Sequence, residues 1–536
     1  MSEPFYITTA ISYPNGPPHI GHAYEAIAAD AMARFQRQQG RDVRFQTGTD
    51  EHGLKMAQTA RNRDIEPRAL ADEMSAYFKD MNDRLNISYD RFIRTSEPDH
   101  HSASQAIWQA MEANGDLYLG RYEGWYSVRD EAFYDEKELI EGEGEEKLSP
   151  QGTPVEWTVE ESWFFRLSAY QQKLLDLYTS QPDFIRPDSR RNEIMRFVEG
   201  GLSDLSVSRT SFDWGVKVPG SAEDGTLHVM YVWVDALTNY LTGCGYPDDA
   251  DRMGRYWSEG GDITHIIGKD IVRFHTVYWP AFLMSAKLPL PKQVFGHGFL
   301  LNRGEKMSKS VGNVADPMEL ADRFGVDQLR YFLLREISFG NDGSYSAEAI
   351  VTRSNADLAN SFGNLVQRTL SFLFKNLDGK LPLPQGKMND ADRELLGRLE
   401  LNLGQFQIEF GLLNLDKAIQ HWMLSVFDAN AYIDDQAPWK LRKTDPVRMG
   451  EVLVTLYLVI RHLALALQPI APNGAGQILD QLGVERDCNA RRAPLNDQGQ
   501  WDVWSAGWYE ALVEGGFQLS APTPQFPRLE LTEADA

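Results

Sequence analysis

Two apolar segments of different periodicity flank the stretch Pro14-Asn15-Gly16-Pro17-Pro18-His19-Ile20-Gly21-His22. Residues 5–11 before it are rich in β-branched and aromatic side chains, which predicts a buried strand. After it, apolar residues recur at helical spacing over residues 20–39, and Gly40 is a usual C-terminal stop for a helix. Residues 43–47 then predict a second strand. This order of strand, turn, helix and strand predicts a nucleotide-binding α/β fold, in which ligands collect at strand ends and helix starts.

His19 and His22 stand at the start of the predicted helix, three residues apart, so their side chains share one face of its first turn. The free N–H groups and the positive end of the helix dipole favour a phosphate at this position. Two imidazoles can add hydrogen-bond donors that follow the charge building up on phosphate oxygens. A His-x-x-His pattern is nevertheless weak on its own, because most such pairs in proteins have no catalytic role.

A second motif lies almost 300 residues further on, where Lys306-Met307-Ser308-Lys309-Ser310 follows Gly304 in a polar segment. Two lysines on a mobile loop suit a polyphosphate leaving group. Taken alone, this segment is equally typical of a solvated surface turn. Together and in this order, the two motifs closely resemble the HIGH and KMSKS signatures of the class I aminoacyl-tRNA synthetases.

The composition sets outer limits on the function. The chain has 536 residues, of which 42% are hydrophobic and 24% charged, typical of a globular protein of about three domains. We find no signal pattern and no apolar run long enough to span a bilayer, so we expect a cytoplasmic protein without membrane contact. Two cysteines cannot form a disulfide framework or a four-cysteine metal site. The net charge of −24 argues against general nucleic-acid binding but allows a local basic patch.

Within class I, residues 4–510 most resemble the methionyl-tRNA synthetase family. The resemblance is carried by residues 10–13, Asp50, residues 232–236 with Tyr240, residues 268–275 and residues 339–345. It implies an α/β fold with a Rossmann-like catalytic domain, an inserted connective segment and an all-α anticodon-binding bundle. The implied division is residues 1–115 and 166–300 for the catalytic halves, 116–165 for the insertion, 301–353 for the lysine loop and connecting segment, 354–510 for the bundle and 511–536 for a C-terminal tail.

The resemblance also implies a methionine site made of Ile11, Tyr13, Asp50, Trp233, Tyr240, Ile271, Phe274 and His275. Methionine fits such a pocket, because its thioether packs well against aromatic ring edges. Asp50 can hold the substrate ammonium by a charge-assisted bond, and His275 or Tyr240 can address the sulfur weakly. The alternative interpretation of Trp233, Tyr240 and Phe274 is an ordinary aromatic core.

For catalysis, the resemblance assigns ATP to His19, His22, Gly268, Asp270, Lys306 and Lys309. Gly268 would let the backbone approach the nucleotide closely. The methionine carboxylate attacks the α-phosphorus of ATP, the two histidines stabilise the transition state, and the two lysines close over pyrophosphate, so positioning and electrostatics do most of the work. Mg²⁺ is expected with ATP. The 2′-hydroxyl of the tRNA terminus then attacks the adenylate carbonyl.

The expected tRNA partner is tRNA(Met), both initiator and elongator, with its anticodon read by Asn364, Arg368 and Trp439. An aromatic plane and nearby donors suit an unstacked base. The nearby cations Lys440, Arg442 and Lys443 would form a local positive patch for phosphate contacts. The alternative is that Trp439 caps the bundle core and that Asn364 and Arg368 form a solvated helix face.

The chain departs from many relatives in the inserted segment, where paired cysteines would bind zinc. Here the corresponding positions are Ser127, Asp130, Leu148 and Gln151, which make a poor zinc site. We therefore expect no structural zinc and an insertion held by aromatic packing of Tyr122, Trp125, Tyr126, Phe133 and Tyr134. No appended oligonucleotide-binding domain is recognisable, which favours a monomer.

Two other functional classes remain as alternatives. Small nucleotidyltransferases share the histidine motif but lack a helical domain of this size. A non-catalytic tRNA-binding paralogue would have no reason to retain His19, His22, Lys306 and Lys309 together. Both comparisons favour a tRNA-charging enzyme.

Overall fold

The computed structural model describes residues 2–129, 132–142, 146–220, 226–302, 304–306, 314–382, 388–486, 491–504 and 519–531. Lys309 and Asp130 therefore lie outside the described residues, as does half of the predicted tail. For Lys306, Tyr122 and Phe133 only the backbone is described.

A six-stranded parallel sheet forms the centre of the first part of the chain. In spatial order its strands are Arg91–Arg94, Asp42–Thr49, Pro4–Thr9, Ile263–Gly268, Gln293–His297 and Ile185–Arg186. The chain runs outward in opposite directions from the adjacent strands Pro4–Thr9 and Ile263–Gly268, so a topological switch point lies between them. Ligands bind at such a point, beyond the carboxyl ends of the strands. The predicted Rossmann-like α/β fold is confirmed.

Helices cover this sheet and the segments that follow it. They are Ile20–Gln38, Leu54–Asn62, Pro67–Arg84, Pro98–Ala113, Gln171–Ser180, Asp188–Glu199, Val232–Thr242, Ala250–Tyr256, Trp279–Ala286, Pro317–Phe324, Val326–Glu336 and Ala347–Arg353, with a π-helical turn at Phe274–Tyr278. A small three-stranded sheet of Leu300–Asn302, Glu305–Lys306 and Gly343–Tyr345 carries the start of the lysine loop.

One predicted strand is wrong. The mostly apolar run 231–235 predicts a strand, but it begins the Val232–Thr242 helix after a two-residue strand at Val229–Met230. The polar residues of this helix, Asp235, Thr238, Asn239 and Thr242, do recur at helical spacing, but only the first of them belongs to the run. A short apolar run of this kind cannot be assigned from periodicity alone.

The inserted segment is an antiparallel sheet of Leu117–Ser127, Ala132–Tyr134 and Glu156–Phe165, extended by Leu205–Ser206. The acidic stretch 141–146 predicts a hairpin or an exposed loop, and on either side of it Ile140–Glu141 pairs with Lys147–Leu148; residues 143–145 lie outside the described residues. Two of the predicted packing residues, Trp125 and Tyr134, do form a small apolar cluster with Leu139 and Val155.

The second part of the chain is helical. Its elements are the π-helical Ser354–Gly363, then Asn364–Leu377, Asp390–Gly411, Leu415–Gln436, Pro438–Thr444, Pro446–Leu467 and Pro472–Gln481. In the sequence, periodic Leu, Ile, Val and Phe predict four helices at 355–378, 389–410, 412–435 and 446–467. All four are confirmed to within a few residues, whereas the short Pro438–Thr444 helix is not predicted.

The Pro446–Leu467 helix corrects another expectation. By length and composition it could cross a membrane, so the chain does contain an apolar run of that size. In the fold, 94% of its most apolar window is buried. Its apolar character on every side matches its place in the middle of the bundle.

A continuous apolar core joins the two parts of the chain. Phe35 of the Ile20–Gln38 helix stacks on Phe410 of the bundle with ring centroids 4.6 Å apart. The fully buried Arg330 donates to Asp30 at 2.6 Å and to the carbonyl oxygen of Ile470 at 3.0 Å. The helix that begins at the first motif is therefore anchored directly to the bundle.

Candidate active site

A cavity of about 510 Å³ opens at the switch point of the sheet. This size is within the usual range for a small-molecule site. All eight predicted methionine residues and four of the predicted ATP residues line it: Ile11, Tyr13, Asp50, Trp233, Tyr240, Ile271, Phe274, His275, His19, His22, Gly268 and Asp270. Residues from distant parts of the sequence thus meet at one site.

The two motif histidines cap the Ile20–Gln38 helix by a reciprocal pair of hydrogen bonds. The Gly21 N–H donates to His19 Nδ1 at 3.0 Å, and the His19 N–H donates to His22 Nδ1 at 3.1 Å. The rings lie 3.8 Å apart between centroids, and the His22 ring meets Phe78 edge-on. Because both Nδ1 atoms accept, each neutral imidazole carries its proton on Nε2. The backbone therefore sets both rings as Nε2–H donors at a helix N-terminus, a site that favours phosphate.

Gly21 is required by this arrangement. A Cβ atom at position 21 would lie 2.8 Å from Cε1 and 2.9 Å from Nδ1 of His19. The side chain of any other residue would displace the imidazole from its capping position.

An aromatic wall forms the opposite side of the cavity. Trp233 and Phe274 stack in parallel with centroids 3.8 Å apart, and Tyr240 stacks on His265 at 4.0 Å. His275 Nδ1 lies 2.9 Å from the Ile271 carbonyl oxygen and therefore donates to it, which leaves Nε2 to accept from the Tyr240 hydroxyl at 2.6 Å.

The polar atoms of this wall are thus bonded to each other. Burial lowers the pKa of His275 to about 4 and raises the pKa of Tyr240 well above its ordinary value. Both groups are neutral near pH 7. They present an uncharged surface suited to an apolar, polarisable side chain.

Asp50 follows the Asp42–Thr49 strand, at the edge of the cavity. Its N–H donates to the Ser12 carbonyl oxygen at 2.9 Å, which ties it to the segment that carries Ile11 and Tyr13. The Tyr13 hydroxyl in turn accepts from the Met56 N–H at 3.1 Å. A carboxylate beside an aromatic pocket can bind an ammonium group at a fixed distance from an apolar chain.

The cavity lining also contains an ion-paired imidazole and carboxylate, His297 and Glu25, that the sequence did not reveal. His297 lies at the end of the Gln293–His297 strand, donates to the Gly298 carbonyl at 2.8 Å, and meets Glu25 at 2.9 Å. Burial alone would lower the pKa of His297, but the bond to Glu25 raises it, while burial raises the pKa of Glu25. The charge of Asp270 also raises the pKa of both groups. Glu25 is one helical turn beyond His22, so helix spacing was the signal that could have identified it.

Other lining residues were also missed. They are Asn15, Lys55, Arg129, Gln151, Asn239, Phe299 and Leu300 among others. Arg129 and Gln151 belong to the inserted segment, so this segment reaches the mouth of the cavity. Tertiary contacts bring these residues to the cavity, and no local sequence pattern marks them.

The described part of the lysine loop lies next to the nucleotide side. Asp342 accepts from Lys269 at 2.7 Å and from the Phe299 N–H at 2.8 Å, and the Gly304 N–H donates to Ser344 at 3.0 Å. The segment 339–345 therefore supports the strand from which the loop departs. Lys306 is in the Glu305–Lys306 strand, whereas Lys309 lies outside the described residues.

One of the four positions compared with zinc ligands, Ser127, belongs to a hydroxyl cluster. Thr153 Oγ1 lies 2.7 Å from Ser127 Oγ and 2.8 Å from Ser149 Oγ, and all three side chains are buried. The Gln151 N–H donates to Ser149 Oγ at 3.1 Å. Hydroxyl groups that satisfy each other and the turn backbone do not resemble the thiolate or imidazole ligands that zinc prefers.

The predicted anticodon residues share one surface of the bundle. Trp439 is 43% exposed, which is inconsistent with a role as a core cap. The Arg368 guanidinium carbon lies 5.6 Å from the centre of the Trp439 ring, and Arg368 forms an ion pair with Asp434. Asn364 is exposed one turn away on the same helix.

Comparisons with known proteins agree with this geometry. Residues 5–370 match the family model for class I tRNA synthetases (M), and residues 383–501 match the anticodon-binding domain of methionyl tRNA ligase. The chain is 57% identical to the methionine–tRNA ligase of Brucella suis and 55% identical to that of Rhizobium meliloti, with 99% of each chain covered. A solved structure of Mycobacterium tuberculosis methionyl-tRNA synthetase with methionyl-adenylate superimposes with a TM-score of 0.90 at 53% identity, covering 98% of this chain and 100% of the other.

Proposed function

The chain belongs to the methionyl-tRNA synthetase family of class I aminoacyl-tRNA synthetases, and from this premise we propose how its residues carry out the reaction. The enzyme is a methionine–tRNA ligase: it activates L-methionine with ATP to methionyl-adenylate, releases pyrophosphate, and transfers methionine to the 3′ end of its tRNA. The observation that carries the residue assignment is the meeting, in one cavity, of the His19–His22 donors with Asp50 and the aromatic wall.

In our proposal, Asp50 binds the methionine ammonium, and Trp233, Tyr240, Phe274 and His275 with Ile11, Tyr13 and Ile271 enclose the thioether. The substrate carboxylate then faces the histidine end of the same cavity. Held there, it is positioned to attack the α-phosphorus of ATP, which is the contribution expected from proximity.

His19 and His22 donate from Nε2 to the phosphate oxygens as charge develops on them. Gly268 and Asp270 bind the nucleoside, and Lys306 and Lys309 neutralise the departing pyrophosphate. Fixed donors that strengthen in the transition state raise the turnover more than they raise the affinity for ATP.

A pyrophosphate-exchange screen over all twenty amino acids tests the pocket assignment. We expect rapid exchange with methionine alone. Strong exchange with leucine, isoleucine or valine and none with methionine would contradict it. The variant Asp50→Asn should weaken methionine binding while leaving the KM for ATP nearly unchanged.

For tRNA, we propose that Trp439 stacks on an anticodon base and that Asn364 and Arg368 bond to its pairing edge, in both initiator and elongator tRNA(Met). Arg368 would exchange its surface partner Asp434 for the base. Lys440, Arg442 and Lys443, all exposed beside Trp439, supply positive charge for the phosphates.

We propose that Mg²⁺ arrives with ATP, coordinated mainly by the phosphates, as is usual for this ion. For structural zinc, the buried hydroxyl cluster of Ser127, Ser149 and Thr153 is a poor ligand set, and Leu148 offers no ligand atom. We therefore expect elemental analysis of the purified protein to find no stoichiometric zinc. One tightly bound zinc per chain would show that the insertion has been misaligned.

We also propose that the enzyme is a cytoplasmic monomer, organised as the catalytic halves 1–115 and 166–300 around the insertion 116–165, with 301–353 leading into the bundle 354–510. Sedimentation at micromolar concentration tests the oligomeric state. Limited proteolysis tests the boundaries, since cleavage concentrates in exposed connecting segments.

A further inference from the structure

A network of buried charge lies directly behind the cavity and has no part in the chemistry proposed above. Asp235, fully buried in the first turn of the Val232–Thr242 helix, places Oδ2 2.6 Å from His52 Nδ1 and Oδ1 2.7 Å from His100 Nε2. His52 and His100 are buried as well. Burial alone would raise the pKa of Asp235, but the two imidazoles hold it well below its ordinary value. A buried carboxylate is tolerated only when its bonds are made, so this bridge fixes the groups that it joins.

The two ends of the bridge lie next to the two halves of the methionine site. His52 is two residues beyond Asp50, in the loop that leaves the Asp42–Thr49 strand. Asp235 is two residues beyond Trp233 and five before Tyr240 on the same helix. The bond from His52 to Asp235 therefore connects the loop that contains Asp50 with the helix that contains Trp233 and Tyr240.

Glu51, between Asp50 and His52, bonds to a different part of the protein. Glu51 is fully buried and accepts from Arg94 Nε at 2.6 Å, and its carbonyl oxygen accepts from Trp214 Nε1 at 2.6 Å. These bonds hold the loop against the Arg91–Arg94 strand and the 212–214 segment. They do not reach the Val232–Thr242 helix. His52, in contrast, bonds to Asp235 of that helix. The Asp42–Thr49 strand is also tied to the helix, because Gln46 Nε2 donates to Asn239 Oδ1 at 2.6 Å, but His52 is the nearer of these two ties to Asp50 in the sequence.

We propose that Asp235 is a positioning residue for methionine: acting through His52, it fixes the separation between Asp50 and the Trp233–Tyr240 wall. This inference rests on the proposed role of Asp50 as the ammonium ligand. In any one bound conformation of methionine, the ammonium and the thioether sulfur are a definite distance apart. A site with two fixed ends favours the substrate of matching length, and a displacement of about 1 Å can cost up to about a hundredfold.

The test uses Asp235→Asn, which keeps the shape of the side chain but replaces one acceptor oxygen by a donor. Binding of methionine is compared with binding of 4-methylthiobutanoate, which is methionine without its α-amino group. We expect the affinity for methionine to fall by about ten- to a hundredfold and that for 4-methylthiobutanoate to change by less than about twofold, since it makes no ammonium contact with Asp50. In pyrophosphate exchange, the KM for methionine should rise while the KM for ATP stays constant.

Thr238→Val is the matched control. Thr238 is buried on the same helix, and its hydroxyl donates to the Val234 carbonyl at 2.8 Å without reaching His52. This variant removes one buried hydrogen bond and should leave the ratio of the two affinities unchanged. Equal weakening of both ligands by Asp235→Asn, or no change in either, would overturn the proposal.

If Asp235→Asn does not fold, two variants of His52 test the positioning role of Asp235 instead. In His52→Asn, the side-chain amide can still donate to Asp235, so we expect the preference for methionine over the desamino analogue to be retained. In His52→Leu the bond is lost, and the preference should fall as in Asp235→Asn; equal preferences in the two variants would refute the inference. Asp50→Asn tests the ammonium assignment separately. If this variant leaves the preference for methionine intact, the assignment of Asp50 is wrong. If Asp50→Asn lowers the preference but Asp235→Asn and His52→Leu leave it intact, only the positioning role of Asp235 is wrong.

Discussion

The cavity that we propose for methionine and the surface that we propose for the anticodon are built in opposite ways. Tyr240 and His275 in the cavity, and Asp235 behind it, are buried, and each bonds to another protein group. On the bundle, Trp439 and Asn364 are exposed, and Arg368 is held by a surface ion pair. A small apolar amino acid offers few polar groups for recognition, so the protein must supply a rigid shape. An unstacked base brings its own flat face and bonding edge, so a stacking plane with exchangeable donors is sufficient.

The contrast has one limit, because both regions depend on the same core. Asp30 is in the helix that the motif histidines cap, and Arg330 joins it to the carbonyl oxygens that end the Pro446–Leu467 segment of the bundle. Removing Arg330 should therefore affect the cavity and the anticodon surface together.

We predict that Arg330→Met lowers the free energy of unfolding by about 3–5 kcal/mol, because it leaves the buried Asp30 carboxylate without its main partner. Denaturant unfolding followed by circular dichroism measures this. Arg34→Met is the control, since Arg34 donates to the same Asp30 oxygen at 2.7 Å from a partly exposed position and should cost much less. If Arg330→Met unfolded the bundle but left the catalytic part folded, the two regions would fold independently.

Within the cavity, the largest kinetic effect is expected at the lysine loop. Lys309→Ala should slow adenylate formation by about a hundred- to a thousandfold, because this lysine acts on charge that develops mainly in the transition state. Methionine affinity, measured without ATP, should stay near normal. If the affinity for methionine collapsed while the turnover of bound substrate stayed unchanged, the proposed role of the lysine loop in adenylate formation would be wrong.

Gly21→Ala tests whether the histidine pair is as rigid as the aromatic wall. The added Cβ would lie within 3 Å of the His19 ring, so the ring must leave its cap. We expect adenylate formation to fall by about a hundredfold, the typical cost of a small misplacement of a catalytic group. Helix content and methionine binding should be retained. A near-normal rate would show that His19 acts from another rotamer, and His19→Ala would then provide the reference value.

The parts of the fold that could be predicted from the sequence are those with a clear period. The Ile20–Gln38, Asp390–Gly411 and Leu415–Gln436 helices repeat apolar residues at helical spacing, and the first strand is marked by its β-branched and aromatic residues. Residues 231–235 predict a strand because this run is too short to show the helical period of the whole Val232–Thr242 segment, and Pro438–Thr444 is also too short to show a period.

The site was predictable to the extent that its residues belong to motifs. The family resemblance identified twelve of the residues that line the cavity. Glu25 and His297 were missed because their pairing joins positions 272 residues apart. The same is true of His52, His100 and Asp235, which are ordinary residues in the sequence and become a network only when the strand end and two helices meet. Such pairings are set by tertiary packing and leave no local pattern.

The smallest effect is expected at the anticodon surface, where Trp439→Ala tests the other side of the comparison. Stacking of a base on an aromatic side chain contributes about 1–3 kcal/mol, so kcat/KM for tRNA charging should fall by about tenfold or more. Methionine-dependent pyrophosphate exchange without tRNA should remain near normal, because Trp439 is exposed and does not contribute to the core shared with the cavity. Trp504→Ala is a matched control, since Trp504 is 46% exposed and was not assigned to tRNA. If charging and exchange fell together in Trp439→Ala, and the variant also melted early, Trp439 would be a structural residue after all. If only charging fell, and fell equally for initiator and elongator tRNA, Trp439 would be reading the anticodon that both share, through a surface that needs no preformed cavity.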